Sequence, residues 1–224
     1  MMRREIDSML KSGSTKIAIV GAVILAASVA CSSGPPPPAD ERPYEQRVIA
    51  ARAAKDAMFR TTADSPIPAP DRAGFKGLPY FPIDPAYHVP AVLTEIRGGP
   101  PVVIQLPTSQ GLPRRERKIG SLGFSIGGAS YALTAFFDED EGLTKLFVPF
   151  GDLTNNKETY GGGRYLDLTR TTTGLYDLDF NGAYHPYCVY NPTFDCPIPP
   201  AENRLKVAIR AGERLMPPDG AVSH

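Results

Sequence analysis

Tryptophan is absent from the 224 residues, cysteine and histidine occur three times each, and the formal net charge is zero. With so few histidines, and one of them the last residue, His224, a dedicated histidine metal cage is not expected. Basic and acidic residues balance at 24 each, which supplies no basic face for nucleic acid. Neither an HExxH helix nor a paired C-x-x-C knuckle occurs. No nucleophile elbow is recognisable either. Ser125 does sit in GFSIGG, but that segment reads as a strand running into a hairpin rather than a strand, sharp turn and helix. Long apolar runs are also missing: the longest, Ile17 to Ala30, has fourteen apolar or small residues and is short for a bilayer span.

That run is nevertheless informative. Arg3, Arg4, Lys11 and Lys16 precede it, which is the charged n-region and apolar h-region of a bacterial export signal. It closes on Ser28, Val29, Ala30 and Cys31, which resembles the lipobox of bacterial lipoproteins, with Ser28 in place of the usual leucine. The resemblance implies a lipidated, palmitate-bearing Cys31 as the mature N-terminus; an ordinary cleaved signal with an incidental cysteine is the alternative. Residues 32–39, with Pro35 to Pro38, read as a stiff tether. The expected localisation is therefore the bacterial cell envelope, anchored in a membrane and facing the extracytoplasmic side.

Without residues 1–31 the chain keeps 20 basic and 22 acidic groups, a net charge of −2. About 185 residues follow the tether, enough for one domain with a real core. Twenty-four prolines and twenty-one glycines indicate many turns and few long helices. One helix is expected at residues 40–60, with Asp40 as N-cap and Tyr44, Val48, Ala51 and Met58 as a thin apolar stripe packing on the domain. The proline-rich stretch that follows reads as an extended loop docked by Phe75, Leu78, Tyr80 and Phe81. From His88 onward, short apolar or alternating runs separated by glycine-rich turns predict strands at Val92–Ile96, Val102–Leu106, Arg115–Ile119, Leu122–Ile126, Tyr131–Phe137, Thr144–Phe150, Gly163–Arg170, Leu175–Phe180 and Leu205–Arg210. The expected fold is mainly β, an antiparallel sandwich or small barrel, within a single β-rich domain over 61–216 followed by a frayed tail at 217–224.

The stretch from Glu158 to Asn203 is written unlike a plain core segment. It holds six of the ten tyrosines, both late cysteines and three consecutive glycines. If Arg164–Thr169 and Leu175–Asn181 form a hairpin through Thr171–Gly174, the registers that superpose their apolar faces set Asp167 opposite Asp177 or Asp179. Apposed carboxylates destabilise a sheet unless something relieves them. They are a solvated face, a cation site, or an acid/base pair with one raised pKa. Cys188 and Cys196 are expected to form a disulfide in an exported chain, which would stabilise by roughly 2.5 kcal/mol. Zinc held by His185, Cys188 and Cys196 is the lesser alternative, and no metal or other cofactor is expected. Gly161, Gly162 and Gly163 precede a strand rather than a helix, so a tight turn is expected there and not a phosphate loop. The candidate ligand-binding residues are Asn181, Tyr184, Asn191 and Asn203, on a loop stiffened by Pro186, Pro192, Pro197, Pro199 and Pro200, together with Tyr160, Arg164 and Tyr165, with which the loop would line a pocket beside Asp167.

The segments YGGGRYLDL, LDFNGAYHPYCVYNPTFDCPIPPAENRL and YFPIDPAYHV resemble the signature blocks of the bacterial family called domain of unknown function 1684, over roughly Lys55 to Arg214. The chain departs from that pattern at His185 and Asp195, where asparagine is expected, and this weighs against His185 as a catalytic group. The resemblance implies a shared site and no established reaction. Two function classes follow. The first is a lipid-anchored binding or interaction module for a small polar ligand or an envelope protein. The second is a carboxylate-based hydrolase, dependent on a divalent metal or not, using Asp167 with Asp177 or Asp179.

Overall fold

Alternation decides which face of each strand enters the core. Leu146, Val148 and Phe150 are buried while Lys145 is exposed; Leu166 and Leu168 are buried while Asp167 and Thr169 are exposed. The computed structural model describes residues 40–138 and 144–215; the expected export signal with Cys31, the expected tether and the expected tail from 217 lie outside the described residues. The strands are β1 (His88–Glu95), β2 (Val102–Leu106), β3 (Arg114–Ile126), β4 (Ala129–Asp138), β5 (Lys145–Phe150), β6 (Arg164–Thr169) and β7 (Leu175–Asp179). They pair antiparallel in the order β6-β5-β4-β3-β1-β7, with β2 added to β3.

The sheet curls into a nearly closed barrel. After β7 the chain turns back, and Tyr184 exchanges two backbone hydrogen bonds with Tyr165 of β6, at 2.9 and 3.1 Å. The interior is filled by one apolar cluster that includes Leu93, Leu122, Leu133, Phe137, Val148, Phe150, Leu178 and Phe180. Side chains occupy the lumen, so a ligand site has to lie on the outside or at an end.

Two expected strands, Arg115–Ile119 and Leu122–Ile126, are one. β3 runs through both with a register shift between Lys118 and Gly120. Gly120 permits this bend because a Cβ there would stand 2.3 Å from the Thr94 carbonyl oxygen. Ser125 lies in β3 and pairs with Ser130 across the β3–β4 hairpin, as its sequence context predicts.

The ladder between β4 and β5 narrows to one pair, Phe136 with Phe147. Pro149 in β5 has no N–H to offer. The side chain of Asn203, fully buried, does the work of a strand there: its Oδ1 accepts from the Thr134 N–H at 2.7 Å, and its Nδ2 donates to the carbonyls of Thr134 at 2.8 Å and Pro149 at 2.7 Å.

The expected helix is α1 (Tyr44–Thr61). Its N-cap is Pro43, and Asp40 instead takes the Arg42 guanidinium at 2.6 Å, which holds this exposed carboxyl down at about 2. Val48 and Phe59 are its buried residues, so the apolar stripe is thinner than expected. Polar anchors dock it: Tyr44 Oη donates to Asp179 at 2.9 Å, Arg52 to the Phe81 carbonyl at 3.0 Å, and Asp56 accepts from the Leu78 N–H at 3.0 Å. Leu78 and Phe81 of the following loop are buried as expected.

Two sequence expectations fail here. β6 and β7 do not form a hairpin: β6 pairs with β5, and β7 pairs with β1 at the other end of the hydrogen-bonded path. Leu205–Arg210 is not a strand. It belongs to an extended strap whose carbonyls at Ile209, Ala211 and Glu213 all accept from the guanidinium of Arg164. A side chain, not a neighbouring strand, satisfies that backbone.

Gly163 ends the glycine run in a turn, its N–H donating to the Tyr160 carbonyl at 3.0 Å, and it has a φ of +93°. A Cβ there would meet the Phe150 carbonyl oxygen at 2.5 Å. Gly163→Ala is expected to destabilise by about 1–2 kcal/mol in urea unfolding, and an unchanged midpoint would refute the conformational argument.

Candidate functional site

The outward residues of β5 and β6 meet the loop from Tyr184 to Pro197 in an open cleft of about 710 Å³. This is in the range of small-ligand sites. β5 contributes Lys145 and Phe147, β6 contributes Tyr165 and Asp167, and α1 contributes Lys55. The loop supplies the facing wall with Tyr184, Tyr187, Phe194 and Asp195. The rings brace one another edge to face: Phe147 against Tyr165 at 4.8 Å, Tyr165 against Tyr184 at 5.7 Å, and Tyr187 against Phe194 at 5.4 Å between centroids.

The polar groups of the cleft are held in place. Tyr184 Oη donates to Asp167 Oδ2 at 2.9 Å, and Tyr165 Oη donates to the Pro197 carbonyl. Burial pushes both phenols up, and for Tyr184 the Asp167 carboxylate adds to it, so both remain protonated donors. Asp195 accepts from Thr108 Oγ1 at 2.8 Å, Ser109 Oγ at 3.3 Å and the Gln110 N–H at 2.7 Å, which ties the loop to the segment after β2.

Behind the cleft lies a buried polar hub that sequence reasoning missed. Glu213 accepts from Lys55 Nζ at 2.5 Å, Tyr190 Oη at 2.8 Å and the His185 N–H at 2.7 Å. The Lys55 ammonium also lies 4.4 Å from the centroid of the Tyr184 ring. His185 Nε2 accepts from the Tyr160 N–H at 3.2 Å, so the ring proton resides on Nδ1, which faces Glu213 at 3.7 Å. Burial first, then Arg164 and Lys55, lowers the His185 pKa to about 3, and the ring is neutral at physiological pH. The residue is a structural acceptor here.

The predicted site residues divide into two groups. Tyr165 and Tyr184 line the cleft. Tyr160 stands beside the cysteines, its phenol raised by burial and by Cys188. Asn191 is a partly exposed turn residue accepting from the Thr193 N–H at 3.0 Å. Arg164, Asn181 and Asn203 are corrections: all three are buried and committed to the fold. Arg164 pairs with Asp152 at 2.9 Å beneath the strap. Asn181 takes the Asp84 N–H at 3.0 Å and donates to the Asp84 carbonyl and Tyr44 Oη, both at 2.8 Å. Their polarity reads in sequence like a binding surface, whereas it replaces backbone partners in segments without a ladder.

The apposed aspartates are a correction too. Asp167 lies in the cleft with Tyr184, while Asp177 and Asp179 border a second hollow of about 430 Å³ under α1. Asp177 is on the His88 side of β7, and Asp179 accepts from Tyr44 Oη and the Asn181 N–H. The carboxylate pair on which the hydrolase expectation rests is not formed. Among the described residues no group of three or more histidine, cysteine, aspartate or glutamate side chains is placed to hold a metal.

The expected disulfide is likewise not formed. Cys188 and Cys196 are free thiols, adjacent enough for the Cys188 N–H to donate to Cys196 Sγ at 3.1 Å. Burial pushes the Cys196 thiol up to about 12, so it is no nucleophile near neutral pH.

Lys55, Arg114, Lys145, Phe147, Tyr187, Phe194 and Asp195 also line the cleft and were not among the predicted site residues. For β5 the signal was legible, because alternation in KLFVPF puts Lys145 and Phe147 on the face opposite the core.

The fold and cleft define an antiparallel, nearly closed β-barrel with its candidate site on the outer surface. The chain belongs to the family described as protein of unknown function (DUF1684), which matches residues 73–214. It is similar to the solution NMR structure of an uncharacterized protein of Haloarcula marismortui, with 40% identity over 77% of this chain and 94% of that chain and a TM-score of 0.61. No curated protein matches it. The family match begins after α1, so Lys55 is contributed from outside the matched residues.

Proposed function

We propose that the protein is a binding module of the cell envelope, lipid-anchored through Cys31, that holds a small polar ligand in the outer cleft. The observation that carries this reading is the cleft itself: braced aromatic rings and fixed polar groups gathered outside a barrel whose interior is already packed. Its wall is a loop pinned at Asp195 and at the Tyr165–Tyr184 bridge, so the site is preorganised and binding orders little. The export signal and proline tether support a location on the extracytoplasmic face of a membrane.

Ligand-observed NMR with pooled envelope sugars and short peptides tests the binding reading. The expected result is saturation transfer to at least one compound, abolished in a Tyr187→Ala/Phe194→Ala chain that keeps its melting temperature. Equal signals from the two proteins would sink it. The anchor has its own test: Cys31→Ala is expected to abolish incorporation of labelled palmitate and release the chain from the membrane fraction.

A further inference from the structure

We infer that the outer cleft takes a neutral saccharide, an inference that rests on the binding reading above and names its ligand class. The charges at the cleft are already matched. Lys55 is paired with Glu213, Arg114 lies 3.2 Å from the buried Glu116 carboxylate, Asp167 carries the Tyr184 hydroxyl, and Asp195 holds three donors of the segment after β2. Lys145 is exposed at the rim, where solvent screens its charge. An ion placed among the rings would lose hydration without a committed counter-charge, which is unfavourable.

What the cleft offers instead is uncharged contact and hydrogen bonding. Phe147, Tyr184, Tyr187 and Phe194 are all partly exposed, and they present apolar surface to a ligand. Each carboxylate has about four lone-pair sites and can accept from further hydroxyls beyond the partners it holds. A sugar ring matches both demands, with C–H faces for the aromatic surface and hydroxyls around its edge for Asp167, Asp195 and Lys145. It brings no charge to desolvate. The fixed hydrogen bonds that orient Asp167 and Asp195 then act as specificity elements, since an acceptor already held in place loses little freedom on meeting a hydroxyl.

The test titrates the full chain with N,N′-diacetylchitobiose and cellobiose as neutral probes, and with benzoate and tyramine as singly charged ring probes, following amide shifts of Tyr187 and Phe194. At least one disaccharide is expected to shift both. Raising salt from about 0.05 M to about 0.3 M is expected to change its dissociation constant less than about twofold. Asp167→Asn, an isosteric change at an exposed position, is expected to weaken it about tenfold with the melting temperature unchanged. Shifts from benzoate or tyramine with neither disaccharide active would overturn the saccharide class and leave the binding reading standing. Silence from all four probes would remove both.

Discussion

Arg164→Met is expected to lose about 3–5 kcal/mol of unfolding free energy in urea, the range for removing one partner of a buried ion pair. Arg164 is 0% exposed and carries two structural duties at once. Its Nη2 donates to Asp152 Oδ2 at 2.9 Å and to the Ile209 carbonyl at 2.7 Å, while Nη1 donates to the carbonyls of Ala211 and Glu213. Asp152 in turn accepts the N–H groups of Thr154 at 2.8 Å and Ile209 at 3.2 Å through Oδ1. Methionine fills the volume but leaves Asp152 charged and three strap carbonyls without a donor. Arg164→Lys should rescue little, since a single ammonium cannot span a carboxylate and three carbonyls as a planar guanidinium does. Asp152→Asn keeps the side-chain shape and should fall between wild type and Arg164→Met. A loss below about 1 kcal/mol for Arg164→Met would show that the strap is held by something else. Loss of ligand binding in an Arg164 variant therefore reports lost structure, not a lost contact.

The strand pattern was legible because alternation and glycine turns are local. The barrel class follows from many short strands without crossover helices, and eight of the nine predicted runs fall in strands, Val102–Leu106 end for end and the others with shifted ends, two of them fused in β3. Partner choice was not legible. The apolar faces of β6 and β7 satisfy the core equally well as a hairpin or as strands on either side of the barrel seam, so the pattern of Leu166, Leu168, Tyr176 and Leu178 could not choose. The same ambiguity misplaced the aspartates. Arg164, Asn181 and Asn203 mislead for a related reason: a polar residue in a turn-rich region has the same letter whether it faces water or caps a buried backbone. The cleft needed three-dimensional information, because Lys55 and Asp195 are 140 positions apart in sequence and meet through the docking of α1.

His185 gives the second large effect, through pH. In the unfolded chain the imidazole titrates near 6.5, whereas in the fold its pKa is lowered to about 3. The shift is downward for a base, so the folded state excludes a proton that the unfolded state binds. Stability from the neutral ring is whole above about pH 6.5 and is lost progressively as pH falls toward 3, by about 3 kcal/mol at pH 4. Glu213, 3.7 Å from Nδ1, would favour a charged ring, but it already serves Lys55, Tyr190 and the His185 N–H, and burial with the Arg164 and Lys55 cations prevails. His185→Asn, the residue expected from the family pattern, keeps an acceptor for the Tyr160 N–H and carries no titrating group. The variant should lose about 1 kcal/mol at pH 7.5 and show a flatter acid limb in urea unfolding between pH 6.5 and 4. Exposed carboxylates held low by hydrogen bonds, Asp40 and Asp195, contribute the same acid slope to both proteins and cancel in the comparison. Parallel acid limbs for wild type and variant would mean that the ring is protonated in the fold, and Glu213 would then be its counter-ion.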